Sequence, residues 1–253
     1  MAFVTRQQND GAVQGLRAAV RFLTILPANG GADFSPKAMI PFFPLVGLLL
    51  GSVMAVWDFL ACLVWSPALV AVLDVTLLAV LSGGLHLDGL ADASDGLLGH
   101  HTKDRALRIM KDSRVGAMGL LAVVLCLALK AVALAELSNG RFLAILLVPA
   151  YARGSMLFAL RALPYGRSQG TGRVFFADTF NDAAFLGLML PVLLSFGLGF
   201  RFLVLHGAFL AVALGMVWFY RRRIGCVTGD MLGAMVEVSE AVMFVALAAR
   251  FFH

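Results

Sequence analysis

Seven stretches of this chain, residues 39–65, 68–87, 115–137, 141–160, 183–200, 202–220 and 235–252, are predominantly apolar. Each approaches the ~20 residues that a helix needs to cross the hydrocarbon of a bilayer. Pro41 and Pro44 fall near the start of the first stretch and loosen its boundary. Upstream, residues 15–27 set Arg17 and Arg21 among Leu16, Val20, Phe22, Leu23 and Leu26, the pattern of a basic amphipathic helix lying on a membrane surface. The pattern predicts an all-α polytopic bundle of about seven spans, one integral membrane domain over residues 1–253 with an interfacial helix at 15–27.

Composition sharpens this. The chain is 60% hydrophobic and 14% charged, with a mean hydropathy of +0.89, whereas a soluble domain averages about 45–50% apolar and about 25% charged residues. No polar stretch is long enough for a large soluble domain. Residues 1–10 lack the apolar run of a cleavable signal, so the N-terminus is expected to be retained. Cys62, Cys126 and Cys226 show no metal or redox spacing and read as small apolar packers.

The formal net charge of +5 speaks first to topology and to anionic lipid, and not to nucleic acid. The basic residues of 1–38, 88–114, 161–182 and 221–234 share one side of the predicted layout. The opposite side receives only Arg141, Arg201 and Arg250. Cytoplasmic loops carry the Lys/Arg excess, so the N-terminus and the three long polar loops are expected to face the cytoplasm. That asymmetry, and the lack of an internal repeat, favour an enzyme over a carrier open to both sides.

Three aspartates in the first of these loops, Asp88, Asp92 and Asp95, stand at offsets of four and seven and share one face of a helix. Ionised groups at a membrane edge are costly and mark function. Their hard oxygens suit Mg²⁺, which commonly arrives with substrate phosphates. On an ideal helix Asp88 lies roughly 6 Å from Asp92 and about 10 Å from Asp95 along the axis, too far for one compact ion to take all three. Either two metals bind, or one ion takes part of this cluster and a ligand from elsewhere. Asp230 in the third loop, followed by Glu237 and Glu240 at the start of the last span, is the candidate second wall, with pairing to Lys130 or an arginine as the alternative for the glutamates.

Cations and hydroxyls complete the inventory. Lys111, Ser113 and Arg114 stand at the mouth of the third span, Arg153 lies inside the fourth, and Thr228 precedes Asp230. Placed near carboxylates, such groups would clamp phosphate oxygens as substrate-binding residues. Lys111 and Arg114 serve equally well as membrane-flank anchors. His86, two residues before Asp88, would assist proton transfer or sit as a hydrogen-bonded interfacial histidine. The glycine-rich loop 163–173 either folds over a polar substrate or is simply a long loop.

The strings GGLHLDGLADASDGLLG, RALRIMKDSRVGAMG and TGDMLGAMVEVSEA, with RFLTILP and FFPLVGLLLG upstream, resemble the cobalamin synthase family along nearly the whole chain. The resemblance implies a Mg²⁺-dependent integral enzyme of a bacterial inner membrane with its active site on the cytoplasmic side. Such an enzyme joins adenosylcobinamide phosphate, from adenosylcobinamide-GDP, to α-ribazole or its 5′-phosphate and releases GMP. It carries a metal role onto Asp88, Asp92, Asp95, Asp230, Glu237 and Glu240, and a site role onto Lys111, Asp112 and Arg114. Asp95 is the expected acceptor of the ribazole hydroxyl proton. The chain departs from the family pattern at Cys226, where a second glycine after Gly225 is expected.

Two rivals stay open at this point. A CDP-alcohol-type membrane phosphotransferase also uses spaced aspartates, but its D-x-x-D-G-x-x-A-R order is not met after Asp92. An ion-coupled transporter would place its carboxylates at mid-membrane instead of at one rim. The oligomeric state is open as well, a homo-oligomer included.

Overall fold

A computed structural model describes residues 2–28, 36–167 and 180–249. Among them the chain is all α, with no strand beyond an isolated bridge between Tyr165 and Val227. Among the described residues five helices are long and apolar enough to cross a membrane: Ile40–Ala61, Ala117–Glu136, Arg141–Ala162, Arg201–Arg223 and Gly229–Ala248. A sixth crossing is possible only as a bent pair, Pro67–Leu81 with Leu85–Leu97.

The chain opens with α1 (Ala2–Leu23), which begins upstream of the interfacial stretch expected at 15–27 and ends before it does. Gly15, Ala19 and Leu23 are buried and Arg17 and Arg21 exposed, an i, i+4, i+8 stripe. Phe22 stacks on Phe43 with ring centroids 6.4 Å apart. A short turn, α2 (Pro36–Met39), leads through a 3₁₀ turn into α3 (Phe43–Ala61).

The central helix is α8 (Arg141–Ala162), buried on nearly every side. It packs antiparallel to α3. Its first residue anchors the far end of the bundle. The Arg141 guanidinium donates to Asp58 on α3 at 2.8 Å, to the Leu134 carbonyl on α7 (Ala117–Glu136), and to Asp74 on α4 (Pro67–Leu81) at 3.3 Å.

The predicted span at 183–200 is not one helix. It breaks into a 3₁₀ segment Asp182–Leu188, α9 (Met189–Ser195) and a last 3₁₀ turn Phe196–Leu198. Pro191 and the short apolar run limit helix length here. The segment still runs the length of α8. Phe185 meets Phe158 edge-on at 5.2 Å near one end, and Leu198 lies over Gly140 at the other. It delivers the chain to α10 (Arg201–Arg223), whose Arg201 bonds the Asn139 carbonyl and whose Arg221 bonds that of Ala162 at 3.1 Å.

Two further differences from the sequence reading shape the site. The apolar run at 68–87 does not continue straight into the aspartates. Gly83 and Gly84 adopt φ of +61° and +70°, conformations that cost a side-chain-bearing residue strain, and the chain turns by 90°. The acidic segment thus forms its own helix, α5 (Leu85–Leu97), followed by α6 (Lys103–Ile109). The last span starts at Gly229, not near Met235, as α11 (Gly229–Ala248), so Glu237 and Glu240 lie well inside a helix instead of at its mouth.

Candidate active site

On α5 the residues His86, Gly89, Leu90, Ala93, Ser94 and Leu97 are buried, while Asp88, Asp92 and Asp95 stand on the opposite, more open stripe. The helix can lie so close to α11 because Gly89 faces the backbone of Asp230. A Cβ at Gly89 would fall 2.7 Å from the Asp230 carbonyl oxygen. The crossing brings the start of α11 up to the acidic stripe. Asp92 lies within electrostatic reach of Asp88, Asp230, Arg167 and Asp95. Two segments more than 130 residues apart in sequence (88–92 and 230) therefore share one end of the bundle.

Local chemistry sets Asp230. Thr228 caps α11, its hydroxyl oxygen accepting from the Met231 amide at 3.3 Å and donating to Asp230 Oδ2 at 3.4 Å. A carboxylate in the first turn is favoured by the helix dipole. Tyr220 donates to the Met231 carbonyl at 2.7 Å and fixes that turn to α10. Gly225, at φ +69°, makes the preceding reversal, and Cys226, the departure from the family pattern, is buried with its thiol packed over Gly166.

Sequence reasoning counted Arg167 only among the loop cations, yet it enters the site. Its Nη2 donates to Asp230 Oδ2 at 2.5 Å and to the Met110 carbonyl at 3.2 Å. The Gly166 amide bonds the Val227 carbonyl at 2.9 Å and the Val227 amide that of Pro164 at 2.9 Å, which pins residues 164–167 beside the α10–α11 turn. Nothing in the spacing separates Arg167 from the other loop arginines. Arg223 was missed too. Its guanidinium donates to the carbonyls of Leu97 at 2.8 Å, His101 at 2.9 Å and Gly99, closing the C-terminal end of α5.

Other predicted site residues are placed elsewhere. Asp95 accepts from the Gly116 amide at 2.7 Å and the Gly119 amide at 2.8 Å, at the N-cap and in the first turn of α7. Both its oxygens accept from amides at the start of α7, which sets Asp95 apart from the open part of the stripe. Glu237 and Glu240 do not join Asp230. Lys130 Nζ donates to Glu237 Oε2 and to Glu240 Oε2, each at 2.5 Å, and Arg153 Nη1 donates to Glu240 Oε1 at 2.7 Å. All four side chains are at most 5% exposed. The alternative of internal pairing holds for these glutamates, and Arg153 faces them and not the rim. Buried carboxylates three residues apart on α11 require such partners. His86 is buried, in electrostatic reach of Arg153, Glu240 and Lys130, and neither ring nitrogen has a hydrogen-bond partner among the described residues.

Lys111 and Ser113 are exposed on the turn before α7. Arg114 is 86% exposed and forks onto Asp112, Nε to Oδ1 at 2.9 Å and Nη2 to Oδ2 at 2.6 Å. Those bonds hold the Asp112 carboxyl at about 2, below its ordinary range. The turn lies next to Gly116, and hence near Asp95 at the same rim.

Among the described residues no three of His, Cys, Asp and Glu converge on a point that would hold a metal ion. Asp88, Asp92 and Asp230 nonetheless have the right donor chemistry for Mg²⁺. That ion takes one or two carboxylates, keeps waters, and fills its shell with substrate phosphate oxygens. A half-open carboxylate set at a rim fits that shared mode and does not fit a closed protein cage.

A profile of the family described as cobalamin-5-phosphate synthase matches residues 15–248. An adenosylcobinamide-GDP ribazoletransferase of Roseiflexus sp. (strain RS-1) is 34% identical over 90% of this chain and 87% of its own length. One of Synechococcus sp. (strain ATCC 27144 / PCC 6301 / SAUG 1402/1) is 35% identical over 91% and 94%. Another, from Syntrophobacter fumaroxidans (strain DSM 10017 / MPOB), is 38% identical over 92% and 97%. No solved structure matches.

Proposed function

The chain belongs to the cobalamin-5-phosphate synthase family, and on that footing we propose that it transfers adenosylcobinamide phosphate from adenosylcobinamide-GDP to α-ribazole or its 5′-phosphate. A ribazole hydroxyl oxygen bonds to the cobinamide-side phosphorus, and the bond from that phosphorus to the GMP oxygen breaks. The observation that carries the reading is the α5–α11 crossing at Gly89, which sets Asp88 and Asp92 beside Asp230.

Asp88, Asp92 and Asp230 would hold Mg²⁺, which supplies charge neutralisation on the diphosphate and on departing GMP. The chain's own part is placement. Transfer at a diphosphate needs alignment and electrostatics more than covalent chemistry from the protein. α5 presents its aspartates from a helix closed at its end by Arg223, and Thr228 and Tyr220 fix the turn that carries Asp230. Lys111, Ser113 and Arg114 flank the rim, where they would meet substrate phosphate or anionic lipid. With Asp95 bonded to α7, the proton of the attacking hydroxyl would pass to a rim carboxylate oxygen that the ion leaves free. The excess of Lys and Arg on this side supports a cytoplasmic site in the inner membrane.

The test is product formation. Detergent-purified protein incubated with adenosylcobinamide-GDP, α-ribazole and Mg²⁺ should yield cobalamin and GMP by mass spectrometry, and yield neither with EDTA. Absence of product where a relative's enzyme makes it under the same conditions would reject the proposal.

A further inference from the structure

Arg167 is poorly explained as a structural tie. Its guanidinium is 13% exposed in the side chain and, among the described residues, reaches two acceptors, the Met110 carbonyl and Asp230 Oδ2, through a single nitrogen. Its Nε is buried with no hydrogen-bond partner. Contrast Arg223, which spends all three nitrogens on carbonyls of one turn, as a structural guanidinium should. Arg167 instead keeps donor capacity unspent at the edge of an acidic cluster.

Charge points the same way. Among the described residues, the groups that act on Asp92 are the carboxylates Asp88, Asp230 and Asp95, and one cation, Arg167. Asp95 is matched to two amides at a helix N-terminus. That leaves Asp88, Asp92 and Asp230 against Arg167. By bonding Asp230 Oδ2, Arg167 sits where a divalent ion would take a ligand. A planar guanidinium is also the side chain best suited to grip phosphate oxygens.

We infer that Arg167 exchanges partners during the reaction: it neutralises Asp230 in the empty site, then moves to a phosphate oxygen of the diphosphate substrate, releasing Asp230 to the cation that the substrate brings. Cation and diphosphate then enter together, each making room for the other. The inference rests on the carboxylate-centre reading above.

The experiment titrates Mn²⁺, standing in for Mg²⁺ and followed by electron paramagnetic resonance, into wild-type protein and the Arg167→Gln and Arg167→Lys variants. A parallel calorimetric titration measures binding of adenosylcobinamide-GDP with the metal present and the acceptor absent. Without substrate, Arg167→Gln should bind Mn²⁺ about fivefold to tenfold more tightly, because the competing cation is gone. The same variant should bind the diphosphate substrate about tenfold more weakly. Arg167→Lys, a point charge lacking the fork, should lie between the two. Opposite movement of the two affinities is a signature that loss of a structural tie does not give. Both affinities falling together, both unchanged, or tighter Mn²⁺ with unaltered substrate binding would each overturn the exchange. Wild-type protein that binds no Mn²⁺ with or without substrate would instead reject the carboxylate centre itself.

Discussion

The bundle holds two clusters of carboxylates with opposite fates. At one end, Asp88 is exposed and Asp92 and Asp230 are half-buried, with Arg167 the cation that Asp92 and Asp230 share among the described residues. Inside, Glu237 and Glu240 are buried and matched by Lys130 and Arg153, two anions to two cations. Both acidic clusters looked alike as spaced residues beside apolar runs. Depth separates them. A buried charge must be neutralised by the fold itself, whereas a charge at the rim can keep water and wait for a ligand. The inner knot ties α7, α8 and α11 together and so holds up the turn that carries Asp230. Mid-bundle carboxylates are what a transporter would also show, so it is the family match, and not this pairing, that decides against that reading.

The largest expected effect is on chemistry at the rim. Asp92→Asn and Asp230→Asn should each lower turnover at least about a thousandfold with little change in thermal unfolding of the detergent-purified protein. A thousandfold loss accompanied by a collapse in melting temperature would erase the contrast between the clusters. Next comes the knot. Lys130→Met leaves Glu237 and Glu240 with only Arg153 and should cost about 3–5 kcal/mol of stability, read from unfolding, with turnover per folded molecule largely kept. Adding Glu237→Gln restores charge balance around Arg153 and Glu240, and should recover part of the loss.

Asp95 lies between the two cases. Asp95→Asn can satisfy only one of the two α7 amides, so a loss of about 1–3 kcal/mol is expected, with a fall in turnover below about tenfold. A drop matching Asp92→Asn would return Asp95 to the chemistry. The smallest effect is at the exposed Arg114–Asp112 pair, where Arg114→Ala should leave unfolding unchanged and raise KM no more than about threefold. Because Asp112 is held down near 2, whatever this pair contributes is complete above the ordinary carboxylate range and fades only as pH falls toward 2. Melting curves of wild type and variant should therefore stay parallel from about pH 5 to 8.

How legible was this in the sequence? Asp88, Asp92 and Asp95 could be set on one helical face because i, i+4 and i+7 spacing is local information. The long apolar helices were equally plain. The meeting of Asp88 with Asp230 was expected from their shared side of the layout and the need for a ligand from elsewhere, and the structure adds its physical means, Gly89 against the Asp230 backbone. What stayed hidden depended on partners distant in the chain. The pairing of Glu237 and Glu240 with Lys130, over 107 and 110 residues, is a fact about packing. So is the use of Asp95 by amides 21 and 24 residues on. The 90° turn at Gly83–Gly84 had a visible signal in its paired glycines, but an apolar run on either side masked it. Arg167 had none.

The most direct test of a cation held between α5 and the α11 turn uses the cation as a cutter. Fe²⁺ substituted for Mg²⁺ in the purified enzyme, with ascorbate and peroxide, generates radicals that cleave backbone near the ion, and the fragments are sized by mass. Two cuts are expected, one within about residues 88–92 and one next to Asp230, both suppressed by excess Mg²⁺ and both lost in Asp92→Asn. Cleavage at Glu237 and Glu240 instead, or at only one of the two helices, would contradict it.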